Sequence, residues 1–140
     1  MSGHYATLLR GTVARMIPKH EVYITDWADA RDVPLKEGRF DLDDYIDYLV
    51  GFLEHIGPGA HMLAVCQPSV PSFAAAALMS ADKHPCRPRT LTMMGGPIDT
   101  RKAPTAVNQH AMTRPHAWFQ ENVIVTVPAW YPGAGRRVYP

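Results

Sequence analysis

The sequence has little of what would make a function obvious. Two cysteines, Cys66 and Cys86, are all it contains, and they form no CxxC pair. A disulfide framework and a cysteine zinc knuckle are both excluded, so each thiol must be read alone. No apolar run approaches the roughly 20 residues of a membrane-crossing helix. The N-terminal stretch Tyr5 to Met16 is amphipathic rather than the uninterrupted apolar core of a signal peptide. The expectation is a cytoplasmic chain with no membrane span. An excess of one charge is also missing: 14 Lys and Arg against 13 Asp and Glu leave a net charge of +1, with the basic residues scattered. That balance gives no pull toward nucleic acid. The seven histidines include no HExxH pair, and His110 and His116 do not share a helical face, so no metal is expected. Gly95-Gly96 lies in neither GxGxxG nor GxxxxGK[ST], and reads as a tight turn rather than a phosphate cradle. No cofactor is implied.

What is present is the composition of one globular core, 46% hydrophobic and 19% charged, punctuated by 13 prolines. Tyr5, Leu8, Leu9, Val13 and Met16 recur at helical spacing up to Pro18. Glu21 to Thr25 is short, β-branched and aromatic, and predicts a buried strand. Asp41 to Ile56 carries the clearest apolar stripe, with Asp41 as cap, Phe40 positioned to staple onto Tyr45, and Gly57-Pro58 as terminator. His61 to Val65 and Arg89 to Met94 read as short buried parallel strands, and Val70 to Met79 as an alanine-rich helix between them. Ala106 to Ala117 is a candidate helix, and Asn122 to Val127 a strand or cap segment. The alternation predicts an α/β fold with a mostly parallel sheet and helices on both faces. Three strands are few for a doubly wound domain, which points to missing sheet partners.

In open parallel sheets, ligands gather at the carboxyl ends of strands, which brings Cys66 forward. Ala64-Val65-Cys66-Gln67-Pro68 resembles a nucleophile turn with a small residue two positions before the thiol, but proline stands where glycine is usual two positions after it. A helix beginning just beyond offers free N–H groups and a positive dipole end that favour the thiolate. The Gln67 N–H would then donate to an oxyanion. From position and composition alone, Cys66 reads better as a small buried hydrophobe at a strand end. Ser69 is a rival nucleophile that reads better as a helix cap. Cys86 sits in a proline-rich loop as a bystander. Asp99 could be a triad acid but reads better as a solvated loop carboxylate, with Arg101 and Lys102 solvated beside it.

Longer strings are more specific than these patterns. Ser2 to Val13, Val22 to Trp27, Gly38 to Tyr48, Ala64 to Pro71, Met94 to Arg101 and Pro104 to Asn108 resemble, in the same order, segments of intracellular poly(3-hydroxybutyrate) depolymerases. The resemblance covers nearly the whole chain. It implies an α/β-hydrolase fold, present in part. Residues 1–100 would form the central core with the nucleophile turn, and 101–140 the start of a cap-like or connecting region. It implies a carboxylic ester hydrolase acting on stored polyester granules in the cytoplasm, with Cys66 in place of the common serine. The oxyanion would be held by the backbone N–H groups of Gln67 and Gly3, with His4 in a substrate-facing or structural role. The family's aspartate and histidine are expected outside this chain, which reads as a central fragment. A non-catalytic granule-binding or degenerate fragment is the alternative, and a homo-oligomer stays open.

Overall fold

The computed structural model describes residues 9–139, which divide into two compact units. One joins the segment up to Gly38 to residues 115–139, and the other runs from Arg39 to Arg114.

The Arg39–Arg114 unit follows the sequence pattern closely. Helix α2, Leu42–Ile56, begins at Asp41, whose Oδ1 accepts from the N–H groups of Asp43 (3.1 Å) and Asp44 (3.4 Å). The Asp44 carboxylate returns the bond by accepting from the Asp41 N–H at 2.8 Å, completing a capping box. The Phe40 and Tyr45 rings meet at 6.0 Å, as a staple across that cap. The apolar stripe buries Ile46, Leu49 and Leu53, and Gly57 ends the helix at φ 95°. Strand β1, His61–Val65, then runs parallel to β2, Thr90–Met94, with Leu63 beside Thr92 and Val65 beside Met94. The connection is helix α3, Ser69–Ala81. Its small residues Ala74 and Ala75 let α2 approach closely, and Ile46, Leu49 and Ala75 form the core between the two helices. Pro71 is buried within the first turn of α3, where its missing N–H leaves no helical bond unmade. The expected cap by Ser69 is not made. Pro68 already has helical dihedrals, so Ser69 becomes the first residue of the helix, and its hydroxyl donates to the Ala64 carbonyl at 3.4 Å instead.

The α/β class with a parallel pair is therefore observed, but the sheet is smaller than expected. Glu21 to Thr25 is not a strand: it finds no ladder partner among the described residues, and Tyr23 and Ile24 are exposed. β-branched and aromatic composition stabilises a strand only where a neighbour and a core are available to it. In the Arg39–Arg114 unit α2 packs on α3 and α3 on both strands, so helix layers on both faces are not seen there. The candidate helix at 106–117 is two, α4 (Ala106–Met112) and α5 (His116–Asn122), interrupted at Thr113 to Pro115. Helix α1, Arg10–Met16, accounts for the described part of the first amphipathic segment.

The other unit is held by different means. Strands β3, Val125–Thr126, and β4, Arg137–Val138, make a two-residue antiparallel ladder. Short 3-10 turns at Ala30–Asp32 and Leu35–Glu37 are clamped from the C-terminal side. Arg136 donates through Nε to the Val33 carbonyl (3.1 Å), through Nη1 to Gly38 (3.0 Å) and through Nη2 to Pro34 (2.8 Å). The Gly133 N–H donates to the Arg31 carbonyl at 2.7 Å. A side chain at 133 would collide with the carbonyls of Arg31, Ala30 and Val33, at 2.6 to 2.9 Å from its Cβ. The Arg31 guanidinium lies over the Tyr131 ring, 5.1 Å from its centre.

Candidate functional site

The turn from β1 into α3 places Cys66 at the carboxyl end of the strand, exposed to solvent. Its φ is +64°, a left-handed conformation that costs a residue with a Cβ about 1–2 kcal/mol. Hydrogen bonds on both sides maintain it. The Cys66 N–H donates to the Met94 carbonyl at 2.8 Å, continuing the parallel ladder one residue past β1. The Cys66 carbonyl accepts from the Ser69 N–H at 3.0 Å, which closes the turn into the helix. A nucleophile elbow likewise needs a strained backbone and an outward side chain at a strand-to-helix turn. The Gln67 N–H beside it meets no acceptor among the described residues, and Gln67 itself is exposed. Gly3, the other expected oxyanion donor, and His4, expected in a substrate-facing or structural role, lie outside the described residues.

Ser69 is fully buried directly behind this turn. It cannot meet a substrate there, which removes it as a rival nucleophile. Gly96, just past the end of β2, presses on it: a Cβ at 96 would stand 2.2 Å from Ser69 Cβ, 2.3 Å from its Oγ and 3.0 Å from the Cys66 carbonyl oxygen. Of the pair Gly95-Gly96, expected as a tight turn, only Gly95, at φ +65°, fits that description. A second glycine beside the turn residue is a sequence signal of close backbone approach, but the residue that it approaches is 27 positions away and cannot be read locally.

The remaining candidates stand apart from the thiol. Asp99 grips Arg101, accepting from its Nε at 2.8 Å, its Nη2 at 3.1 Å and its backbone N–H at 3.1 Å. The guanidinium, and then the backbone N–H, hold this carboxyl below the usual carboxylate range. Asp99 is thus an ion-paired loop residue. His84 is anchored by Glu54, 3.0 Å from its Nε2, and by the Cys86 N–H, which donates to Nδ1 at 3.2 Å. That pattern places the proton of a neutral ring on Nε2. His84 therefore braces the loop from α3 to β2 against α2. Cys86 takes part through its backbone alone among these bonds. No histidine ring is hydrogen-bonded to Cys66 among the described residues, and they hold no group of three or more His, Cys, Asp or Glu arranged for a metal ion. No helix among them is long and apolar enough to cross a membrane.

The family model described as "PHB de-polymerase C-terminus" matches residues 95–140, from the glycine pair beyond β2 through the Arg136 clamp. No curated protein and no solved structure matches the chain. Cys66 lies outside the matched segment. Residues 95–140, about a third of the chain, are thus similar to the C-terminal segment of PHB depolymerases.

Proposed function

We propose that this chain carries the nucleophile turn of a polyhydroxybutyrate depolymerase with an α/β-hydrolase fold, and that Cys66 is the nucleophile. The observation that carries the reading is an exposed cysteine held at positive φ between a parallel strand and a helix, in a chain with the family's C-terminal signature. The Cys66 thiolate attacks the ester carbonyl of the polyester. An S–C bond forms, and the carbonyl oxygen becomes an oxyanion facing the Gln67 N–H, with the Gly3 N–H as the second donor. Collapse breaks the C–O bond to the alkoxide, which takes up a proton and leaves as a shortened hydroxyl-terminated chain. Water then cleaves the hydroxyacyl thioester, releasing the hydroxyacid and regenerating the thiol. A general base must accept the thiol proton, and the resemblance implies an aspartate-oriented histidine outside these residues. The substrate surface would be a storage granule in the cytoplasm.

Two experiments test this reading. An activated ester, p-nitrophenyl 3-hydroxybutyrate, needs little help at its leaving group, so it should deposit one hydroxybutyryl group on Cys66, seen by intact mass and peptide mapping. An unmodified Cys66, or an adduct that persists in Cys66→Ala, would defeat the nucleophile. Release of hydroxyacid from amorphous poly(3-hydroxybutyrate) granules by the folded protein together with its flanking coding sequence tests the substrate, and no release from that protein would remove it.

The alternative, a granule-binding piece without catalysis, is favoured by the exposed apolar residues at the sheet, Leu63 and Met94 among them. Co-sedimentation with amorphous polyester that Cys66→Ala leaves intact, in a chain that forms no acyl adduct, would select it.

A further inference from the structure

We propose that Gly96 is a positioning residue for Cys66, supplying from the neighbouring strand end the close approach that an elbow ordinarily gains from a glycine two positions after its nucleophile. This rests on the reading of Cys66 as nucleophile. The usual glycine relieves crowding where the turn folds back on its strand. Here Pro68 occupies that place, and its αR dihedrals commit the chain to the helix at once. The first helical residue, Ser69, is thereby driven into the interior, where it is 0% exposed. The crowding then falls between Ser69 and the segment leaving β2, and Gly96 is the residue there that lacks a Cβ.

The two glycines have separate tasks. Gly95 has open space around its Cβ position but a φ of +65°, so its freedom is conformational. Gly96 has no positive φ, yet a Cβ would overlap the base of the Ser69 side chain, which rotation about χ1 cannot clear. Either the strand end withdraws or the turn moves. Each is coupled to Cys66, because the Met94 carbonyl holds its N–H and the Ser69 N–H holds its carbonyl. Gly96 thus acts on the thiol through both bonds that keep it at positive φ.

A substitution cycle read by thiol chemistry tests the proposal. Iodoacetamide labelling at pH 7, with Cys66 and Cys86 followed separately by mass spectrometry, is measured for the whole chain, Gly96→Ala, Ser69→Gly and the double variant. Gly96→Ala should slow Cys66 about fivefold, the scale of losing its alignment with the helix N-terminus, and leave Cys86 unchanged. Ser69→Gly in the Gly96→Ala background removes both overlapping atoms and should restore most of the Cys66 rate. An unchanged Cys66 rate in Gly96→Ala, or equal slowing of Cys86, overturns the proposal, as does a double variant no faster than Gly96→Ala. If Gly96→Ala does not fold, circular dichroism decides: a folded double variant supports the steric coupling, and an unfolded one overturns it. A wild-type Cys66 no faster than a free peptide thiol would sink the nucleophile reading instead, while recovery of folding stability in the double variant would still report the coupling.

Discussion

The two units of this protein are ordered by different kinds of interaction. From Arg39 to Arg114, order comes from regular elements: the α2 stripe packed on the alanines of α3, and a parallel strand ladder in which Ala64 is the buried residue. In the other unit, Val127 is the one buried large hydrophobic residue among those described, and order comes from a guanidinium and a glycine N–H bound to backbone carbonyls. The first kind repeats along the chain and is local. The second depends on single residues that meet carbonyls 98 to 103 positions away. A pattern tolerates the loss of one member better than a clamp does, but each member of the apolar core contributes more free energy.

That contrast orders the consequences of substitution. Leu53, 5% exposed, is the most buried residue of the α2 stripe, and Leu53→Ala should cost about 3 kcal/mol in chemical denaturation. Its amide-exchange signature should fall on α2 and α3, and a loss below about 1 kcal/mol would mean that these helices are not packed as described. Arg136→Ala should cost about 2 kcal/mol, since charge-assisted bonds to three carbonyls go at once. Arg136→Lys should recover little of it, because one ammonium cannot reproduce the fork. Faster amide exchange confined to residues 30–38 would confirm the clamp, and unchanged protection there would refute it.

The α2 cap should show itself through pH. Hydrogen bonds from the Asp44 and Asp43 N–H groups, with Arg39 beside it, hold the Asp41 carboxyl below its ordinary value of 3.8. The folded value is the lower one, so the cap contributes fully above pH 3.8 and its contribution is lost as pH falls through the folded value. Acid titration followed by circular dichroism should show this loss below about pH 4, and Asp41→Asn, which caps without titrating, should flatten it. An identical acid profile in the variant would remove Asp41 as the cause. The smallest effect concerns the turn: Cys66→Gly should be more stable than Cys66→Ala by about 1 kcal/mol, because only glycine accepts positive φ without strain.

What was legible in the sequence divides along the same line. Strand β1 falls where the apolar run predicts it, β2 begins one residue later than predicted, and α2 starts directly after its predicted cap, but of the burial expected for both strands only Ala64 is buried. Each is fixed by periodicity and by terminators that act within a few residues. The strand expected at 21–25 failed because a strand is a property of a pair, and the pattern describes only one member. Ser69 departs from its expected capping role because Pro68 makes the helix begin one residue earlier than a serine cap would allow. The Arg136 clamp has no local signature, and the glycine pair at 95–96 signals a turn or a close approach without showing what is approached. The site itself was half legible: the sequence placed Cys66 at a strand end, whereas its positive φ and exposure came from the fold.

The most direct test of the central claim is the alkylation rate of Cys66 at pH 7, compared with Cys86 in the same molecule and with a free peptide thiol. An elbow nucleophile at the start of α3 should react severalfold faster than either reference, and lose that advantage when the chain is unfolded in denaturant. A Cys66 that reacts at the free-thiol rate in the folded protein would contradict the account.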